Sequence, residues 1–95
     1  MATPLSLADI QARLPQLSGW SLVNGKLHKQ FVFSSFIQAF GWMSGVALVA
    51  EKLDHHPEWM NVYNRVTVDL VTHDAHGITD LDFELAERMN QLATG

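Results

Sequence analysis

Residues 20–33 of this 95-residue chain have the sequence WSLVNGKLHKQFVF, which predicts a β-hairpin. Its centre is Asn24-Gly25, and both residue types tolerate the positive φ angles that a tight type I′ turn requires. The flanking segments, residues 20–23 and 27–33, are rich in apolar residues that favour strands. In the second segment every other residue from 27 to 33 shares one face. Because Lys29 is among them, the apolar alternation there is only partial.

A long helix is predicted directly after this hairpin. Ser34 or Ser35 can cap its start, and it should run to about His55. Pro57 ends it, and the residue before a proline is pushed out of helical geometry. His56 should therefore point in a different direction from His55.

The predicted long helix has two apolar stripes. They consist of Phe36, Phe40, Met43, Ala47 and Ala50, and of Trp42, Val46, Val49 and Leu53. Together they span more than one core-facing side needs. Either the helix lies under a covering element, or one stripe packs on a sheet and the other forms a subunit interface.

A short helix and a second pair of strands are predicted on either side of these elements. The helix covers residues 6–14, with Ser6 as its cap, Asp9 in its first turn and Pro15 as its stop. The strands cover residues 59–63 and 66–73, where apolar residues alternate with polar ones.

A last helix begins after Thr79, which can cap it, with Asp82 three positions further along in its first turn. Its apolar face consists of Leu81, Leu85, Ala86, Met89 and Leu92. The predicted order of elements is therefore α-β-β-α-β-β-α, and we expect one domain over residues 1–95.

Composition narrows the classes of function. The formal net charge is −4 and the six Lys and Arg residues are scattered, which argues against nucleic acid and an anionic membrane surface as partners. The absence of cysteine excludes thiol chemistry and disulfides, and it suits the cytoplasm. Residues 1–7 lack the pattern of a signal peptide, and residues 36–53 contain too many polar side chains for a membrane span.

Two adjacent histidines, His55 and His56, lie where the long helix is expected to end. Glu51, Asp54 and His55 should share one helical face because they are three and four positions apart. Imidazoles titrate near neutral pH, which general acid/base catalysis needs. The cluster is therefore a candidate acid/base site, and helix capping by histidine is the structural alternative.

Three further histidines are interpreted one by one. His73 lies at the end of the last predicted strand, on the side that does not face the core. Spacing alone leaves open whether it meets His55 and His56 or lies on the surface. His28 and His76 are interpreted as surface residues.

A metal site is a third interpretation of the histidines, because imidazoles and a carboxylate are ligands that zinc uses. The segment His55-His56-Pro57-Glu58 differs, however, from the helical His-Glu-x-x-His pair, because adjacent histidines on a helix point apart. We therefore expect neither a metal nor another cofactor.

The histidines belong to a longer pattern, Glu51-x-x-x-His55-His56-Pro57, which continues through Tyr63 and His73 to Asp82. Its most specific part is the block EKLDHHPEW at residues 51–59. Related segments lie at residues 19–20, 29–31, 39–41 and 46–48, so the pattern covers nearly the whole chain. This constellation resembles that of the pterin-4a-carbinolamine dehydratases. The resemblance implies an α+β fold with helices on one face of a four-stranded antiparallel sheet, which agrees with the predicted order.

The resemblance also implies a substrate and a reaction. The substrate is a 4a-hydroxytetrahydropterin, the carbinolamine that pterin-dependent aromatic amino acid hydroxylases release. The reaction is loss of water to give the quinonoid dihydropterin, a step in tetrahydrobiopterin recycling. It needs one proton delivered to the leaving hydroxyl and one removed from a ring nitrogen. Imidazoles can do both without a metal or redox cofactor.

Site residues follow from the resemblance position by position. His55, His56 and His73 correspond to the family's active-site histidines. We expect His55 and His73 to act on the leaving hydroxyl and His56 mainly to bind the pterin. The other implied substrate-binding residues are Asp54, Trp59, Thr72 and Asp74, and the implied supporting residues are Glu51 and Asp82.

One departure concerns Leu81, because animal members carry an arginine at that position. Any ion pair or substrate contact of that arginine is absent here, and binding strength is expected to differ. The histidines are unaffected.

Partners follow from the same resemblance. We expect functional coupling to an aromatic amino acid hydroxylase, and the wide apolar surface of the long helix predicts a homodimer or homotetramer. Animal relatives also act as dimerisation cofactors of a homeodomain transcription factor, through a helix that mediates self-association. A non-enzymatic module that binds a partner helix is thus the alternative function, although the intact histidine set favours the enzyme.

Overall fold

Four strands form one antiparallel sheet in the computed structural model, which describes residues 3–94. The strands are β1 (Ser21–Val23), β2 (Lys26–Val32), β3 (Glu58–Val62) and β4 (Arg65–Leu70), in the spatial order β1-β2-β4-β3. The helices are α1 (Leu7–Arg13), α2 (Phe36–Leu53) and α3 (Asp80–Thr94), and short 3-10 turns lie at Leu14–Gln16 and His73–Ala75. The predicted α-β-β-α-β-β-α order is confirmed.

The first hairpin has the tight turn that its sequence predicts. Asn24 and Gly25 have φ angles of 52° and 76°, and Val23 pairs with Lys26 across the turn. Two consecutive positive φ values are characteristic of a type I′ turn, which matches the twist of the strands it joins. The Asn-Gly pair therefore sets the register of β1 on β2.

All three helices contribute to a core on one face of the sheet, as expected. Leu27 and Phe31 from β2 face the helices, and the ring of Phe31 lies 4.4 Å from that of Trp42 on α2, centroid to centroid. From β4 the fully buried residues Val66, Val68 and Leu70 join the same layer. The opposite face, which we call the open face, carries no helix in the described residues.

Lys29 shares the helix-covered face with these apolar residues, and the structure shows how it is accommodated there. Its Nζ donates to the carbonyl oxygen of Ser18 at 3.0 Å and to Oδ1 of Asn90 at 2.9 Å. Nζ also lies 4.4 Å from the centre of the Phe31 ring. Burial lowers the pKa of Lys29, because a charged amine is less favourable away from water.

Helix α2 starts where the sequence predicts and ends earlier. The Ser35 side chain accepts a hydrogen bond from the backbone N–H of Gln38 at 3.1 Å, which makes Ser35 the cap. The helix ends at Leu53, two residues before His55, because Asp54 adopts a left-handed conformation with φ 53°.

The α2 stripe that contains Trp42 packs on the core, whereas the other stripe does so only through Met43 and Ala50. Trp42 and Val46 are buried, whereas Phe36 and Phe40 of the other stripe are about half exposed. Ile37 and Leu48 are also exposed on α2. Within residues 3–94 nothing covers this apolar face, so the alternative of a covering element in the chain is not realised.

The last predicted strand is three residues too long. β4 ends at Leu70, and His73 begins a 3-10 turn that is closed by a bridge between Thr72 and Gly77. The strand alternation used to orient His73 therefore does not apply to it. No helix in the described part of the chain is long and apolar enough to cross a membrane.

Candidate active site

The end of α2 determines where the two adjacent histidines point. The N–H of Asp54 donates to the carbonyl oxygen of Glu51 at 3.1 Å, and the N–H of His55 donates to that of Ala50 at 3.0 Å. These two bonds around a left-handed residue form a Schellman motif, which closes a helix. His55 then turns inward and is 8% exposed, whereas His56 is exposed.

This turn corrects the expectation that Glu51, Asp54 and His55 share a helical face. The helix ends before His55, so the i, i+4 relation to Glu51 is lost. Glu51 instead meets His56, whose Nε2 lies 2.8 Å from its Oε1. Both side chains of this pair are more than half exposed.

His55 is held by a carboxylate in the core. Its Nε2 lies 2.5 Å from Oδ1 of Asp82, which is fully buried. Oδ2 of Asp82 accepts hydrogen bonds from the Thr72 hydroxyl at 2.8 Å and from the Thr79 N–H at 2.9 Å. Since every neighbour can donate, Asp82 accepts from each, as an ionised carboxylate does. It therefore fixes the proton of His55 on Nε2 and leaves Nδ1 as the basic nitrogen.

The start of α3 is part of the same network. Asp82 accepts from the backbone N–H of Thr79, so the Asp82 half of the predicted capping box is present at this helix. The Thr79 hydroxyl accepts from the N–H of Leu81 at 3.2 Å and lies 2.7 Å from the Thr72 hydroxyl. Since Thr72 gives its proton to Asp82, Thr79 must donate to Thr72.

His73 has a carboxylate partner at the surface. Its Nε2 lies 2.8 Å from Oε2 of Glu58, and the Nζ of Lys26 lies 2.7 Å from Oε1 of the same carboxylate. The bond from Lys26, and secondarily that from His73, holds the pKa of Glu58 below its ordinary value. The same contact with Glu58 raises the pKa of Lys26.

The three histidines border a single open cleft of about 290 Å³. Its lining consists of Asp54, His55, His56, Pro57, Glu58, Val71, Thr72, His73 and Asp74. The structure therefore brings together the expected histidines with three of the expected substrate-binding residues, Asp54, Thr72 and Asp74. Of these, Thr72 directs its hydroxyl to Asp82 and Thr79.

Trp59 is the one expected substrate-binding residue that does not line this cleft. Successive residues of a strand face opposite sides, so Glu58 reaches the cleft and Trp59 packs on the helix-covered face. Its ring lies 6.2 Å from that of Trp42. Leu81, where animal members carry an arginine, is half-buried in the first turn of α3 and also lies outside the cleft lining.

The sequence patterns missed Glu58, which lines the cleft, and Lys26, which contacts Glu58 from outside the lining. Glu58 appears in the specific block, but its meeting with His73 depends on the 3-10 turn after β4. Lys26 lies on β2, and β4 separates it from Glu58 on β3. Only the strand order could have revealed this contact. Within residues 3–94 no group of three His, Asp or Glu side chains is arranged to hold a metal ion.

Comparison with known protein families shows to which of them the chain belongs. The model of the pterin 4 alpha carbinolamine dehydratase family matches residues 3–92. The chain belongs to this family. A relative in Solibacter usitatus, provisionally named a pterin-4-alpha-carbinolamine dehydratase, is 56% identical over all 95 residues of both chains. A relative in Prochlorococcus marinus (strain MIT 9303), with the same provisional name, is 46% identical and covers 99% of this chain and 98% of its own.

A solved structure gives the same fold. The crystal structure of a transcriptional coactivator/pterin dehydratase from Brucella melitensis matches with a TM-score of 0.93 and 46% identity. The match covers 96% of this chain and 99% of that one. Membership in the dehydratase family and the fold inferred from it are thus both shown.

Proposed function

We propose that this chain catalyses the dehydration of 4a-hydroxytetrahydropterin by histidine general acid/base catalysis. The observation that carries the proposal is the cleft itself, in which three imidazoles each hold a carboxylate through Nε2. A carboxylate partner fixes the tautomer of an imidazole and stabilises its protonated form. The cleft can therefore both deliver a proton and take one up.

The reaction requires two proton transfers and no net change in the protonation of the enzyme. One group protonates the 4a-hydroxyl as its bond to carbon breaks and water leaves. Another removes a proton from a ring nitrogen as the quinonoid ring forms. We assign the steps at the leaving hydroxyl to His55 and His73. The group that gives its proton ends neutral and the group that accepts the ring-nitrogen proton ends protonated, so one proton passing between them, directly or through water, restores the starting state. Burial and the bond to Asp82 support this role for His55, because a fixed ring keeps its reacting nitrogen in place.

Substrate binding is assigned mainly to His56, whose surface position beside Glu51 suits a contact with a flat ring. Asp54 and Asp74 add carboxylate oxygens to the cleft lining, and these can accept from the N–H groups of a pterin. Thr72 supports the site through Asp82 and through its place in the lining. Any contact of Trp59 with substrate would require it to reach past its packing on Trp42.

A direct assay tests the reaction. The carbinolamine is generated with a phenylalanine hydroxylase, and its decay is followed in the ultraviolet with and without the purified chain. We expect acceleration over the spontaneous rate and a loss of about 10²–10⁴-fold in kcat for His55→Ala or His73→Ala. His56→Ala should mainly raise KM.

The matched control for these substitutions is His76→Asn, since His76 is exposed, lies outside the cleft lining and has a φ of 58° that Asn tolerates. It should behave as wild type. No acceleration by the wild-type chain contradicts the proposed function. A loss of kcat in His56→Ala as large as that in His55→Ala contradicts the division of roles.

The biological setting is part of the proposal. We place the chain beside an aromatic amino acid hydroxylase in tetrahydrobiopterin recycling, in the cytoplasm, which suits a chain without cysteine. The exposed apolar residues of α2 support a homodimer or homotetramer, because burying them against a second copy removes apolar surface from water. Light scattering of Phe40→Glu against wild type measures whether this face holds the oligomer.

The same exposed face of α2 supports the alternative function, a module that binds the helix of another protein. The Brucella melitensis neighbour is described as both a transcriptional coactivator and a pterin dehydratase. A chain that lacks dehydration activity but binds a partner helix through Phe36 and Phe40 would favour this alternative. The intact histidine cleft supports the enzyme.

A further inference from the structure

A row of ionisable side chains crosses the open face of the sheet next to the cleft. His28 on β2 is the register partner of Asp69 on β4, which in turn is the register partner of Glu58 on β3. Nδ1 of His28 lies 2.9 Å from Oδ1 of Asp69. Through Glu58 this row is continuous with His73 in the cleft.

The row places two carboxylates directly opposite each other. Like charges at paired positions of neighbouring strands repel, so Glu58 and Asp69 need cations or donors nearby. The imidazole of His28 contacts the carboxylate of Asp69, and the ammonium of Lys26 donates to the carboxylate of Glu58. Asp69 also acts on Lys26, because its negative charge is among the causes that raise the pKa of that lysine.

We propose that Glu58 and Lys26 form a positioning pair that sets the orientation and the charge of His73. This inference rests on the proposed dehydration, in which His73 transfers a proton. Neither residue of the pair is needed as an acid or base, and Lys26 lies outside the cleft lining. They act through the imidazole.

The two oxygens of the Glu58 carboxylate have separate tasks. Oε2 holds the Nε2 proton of His73, which leaves Nδ1 as the nitrogen for the substrate. Oε1 is held by Lys26 on a central strand. Because both oxygens are engaged, the carboxylate cannot rotate freely, and the exposed ring of His73 gains a fixed partner.

Glu58 and Lys26 act on the charge of His73 in opposite directions. The carboxylate favours the imidazolium form, and the ammonium of Lys26 opposes it by sharing the same carboxylate. Other ionisable groups also face this pair. They are Asp69 from β4, His28 from β2, and Asp54, His55, His56 and Asp74 around the cleft.

The test compares Glu58→Gln and Lys26→Met in the dehydration assay over a range of pH. In Glu58→Gln the pH limb of kcat that reports His73 should move to lower pH, and in Lys26→Met it should move to higher pH. Each shift should be about 0.3–0.7 pH unit, the size expected for an exposed ion pair. Lys26→Arg should restore the wild-type limb, since arginine keeps the charge.

A merely structural role would not move one limb in opposite directions. The matched controls are Glu87→Gln and Lys52→Met, which make the same changes of net charge at exposed positions outside the cleft lining. The pH profiles of kcat of both controls should superimpose on that of the wild-type chain. The inference is overturned if the pH limbs of kcat in Glu58→Gln and Lys26→Met coincide with those of their controls.

A second measurement is independent of turnover. The His73 ring is titrated by NMR in the same variants, and its midpoint should shift down in Glu58→Gln and up in Lys26→Met. In Glu58→Gln the fraction of the Nε2–H tautomer should also fall. If the wild-type chain fails to dehydrate the carbinolamine while these shifts occur, the proposed function is wrong and the positioning pair stands. If the titration midpoint and the tautomer fraction of His73 are unchanged in both variants, Glu58 and Lys26 are not a positioning pair.

Discussion

The two sides of the cleft use the same chemical pair in different surroundings. On one side His55 and Asp82 lie in the core, 8% and 0% exposed, and Thr72 and Thr79 also donate to the carboxylate. On the other side His73 and Glu58 lie at the surface, where a lysine shares the carboxylate. The first pair is therefore part of the core, and the second is a contact on the surface.

Because of this difference, substitutions at the buried pair should mainly change the stability of the protein, and substitutions at the exposed pair should mainly change its reactivity. A buried carboxylate that loses a partner leaves unpaired polar groups away from water, so changes there affect folding first. An exposed pair contributes little to folding, because water and salt screen it. Substitutions on the Asp82 side should therefore lower the free energy of unfolding, and those on the Glu58 side should alter the pH dependence of the protein with little effect on its stability.

The largest expected effect is at Asp82. Asp82→Ala removes the acceptor of three donors, namely His55, Thr72 and Thr79. We expect a loss of about 3–5 kcal/mol in the free energy of unfolding, measured by urea denaturation. Glu84→Ala, an exposed position on α3, is the control and should lose less than about 1 kcal/mol. Similar losses in both variants would remove the distinction between the two sides.

The next effect is at Thr72. Thr72→Val keeps the shape of the side chain and deletes the hydroxyl that links Asp82 with Thr79. We expect a loss of about 1–3 kcal/mol in urea denaturation. Thr67→Val on the open face deletes a hydroxyl that accepts only one weak bond, from Gln30 at 3.3 Å. Equal effects at the two threonines would argue against a buried network.

Asp54 tests the turn that sends the two histidines to different sides. Its φ of 53° suits glycine and disfavours a β-branched residue. Asp54→Gly should keep or raise the free energy of unfolding by up to about 1 kcal/mol, and Asp54→Val should lower it by about 1–2 kcal/mol. Thermal unfolding of the two variants in parallel measures this. If valine is tolerated as well as glycine, the left-handed turn is not what ends α2.

The smallest effect on stability is expected at Glu58. Because its folded pKa lies below the ordinary value, its contacts stabilise the fold above that ordinary value. The contribution is lost as the pH falls through the lowered pKa. The urea midpoint of wild type should therefore exceed that of Glu58→Gln at pH 7, by less than the Thr72→Val effect, and the difference should vanish in acid. A difference that persists below the lowered pKa would show that the contact is not ionic.

Local chemistry made much of this fold predictable from the sequence. Asn24-Gly25 imposes its turn through backbone preferences alone, and Ser35 caps α2 because its hydroxyl reaches the next turn. The capping box of Thr79 and Asp82 could likewise be recognised from spacing. Each of these features depends on residues a few positions apart.

Apart from the end of α2, the features that the sequence patterns missed depend on contacts between distant residues. The sequence predicts that this helix runs to about His55, whereas the left-handed Asp54 ends it at Leu53. Lys29 interrupted the apolar pattern of β2, and its partner Asn90 on α3 lies sixty-one positions away. The contact of Lys26 with Glu58 likewise requires the strand order β2-β4-β3. No pattern along the chain reports such pairs.

Under the proposed function, the dual use of Asp82 would make turnover a reporter of folding. The carboxylate that begins α3 is the one that holds His55, so we expect the first turn of that helix and the His55 ring to lose their order together. In the proposed mechanism, a chain in which α3 has detached from the sheet would have no oriented His55 and should not dehydrate the carbinolamine. The rate in the dehydration assay would then count only molecules in which the start of α3 is folded.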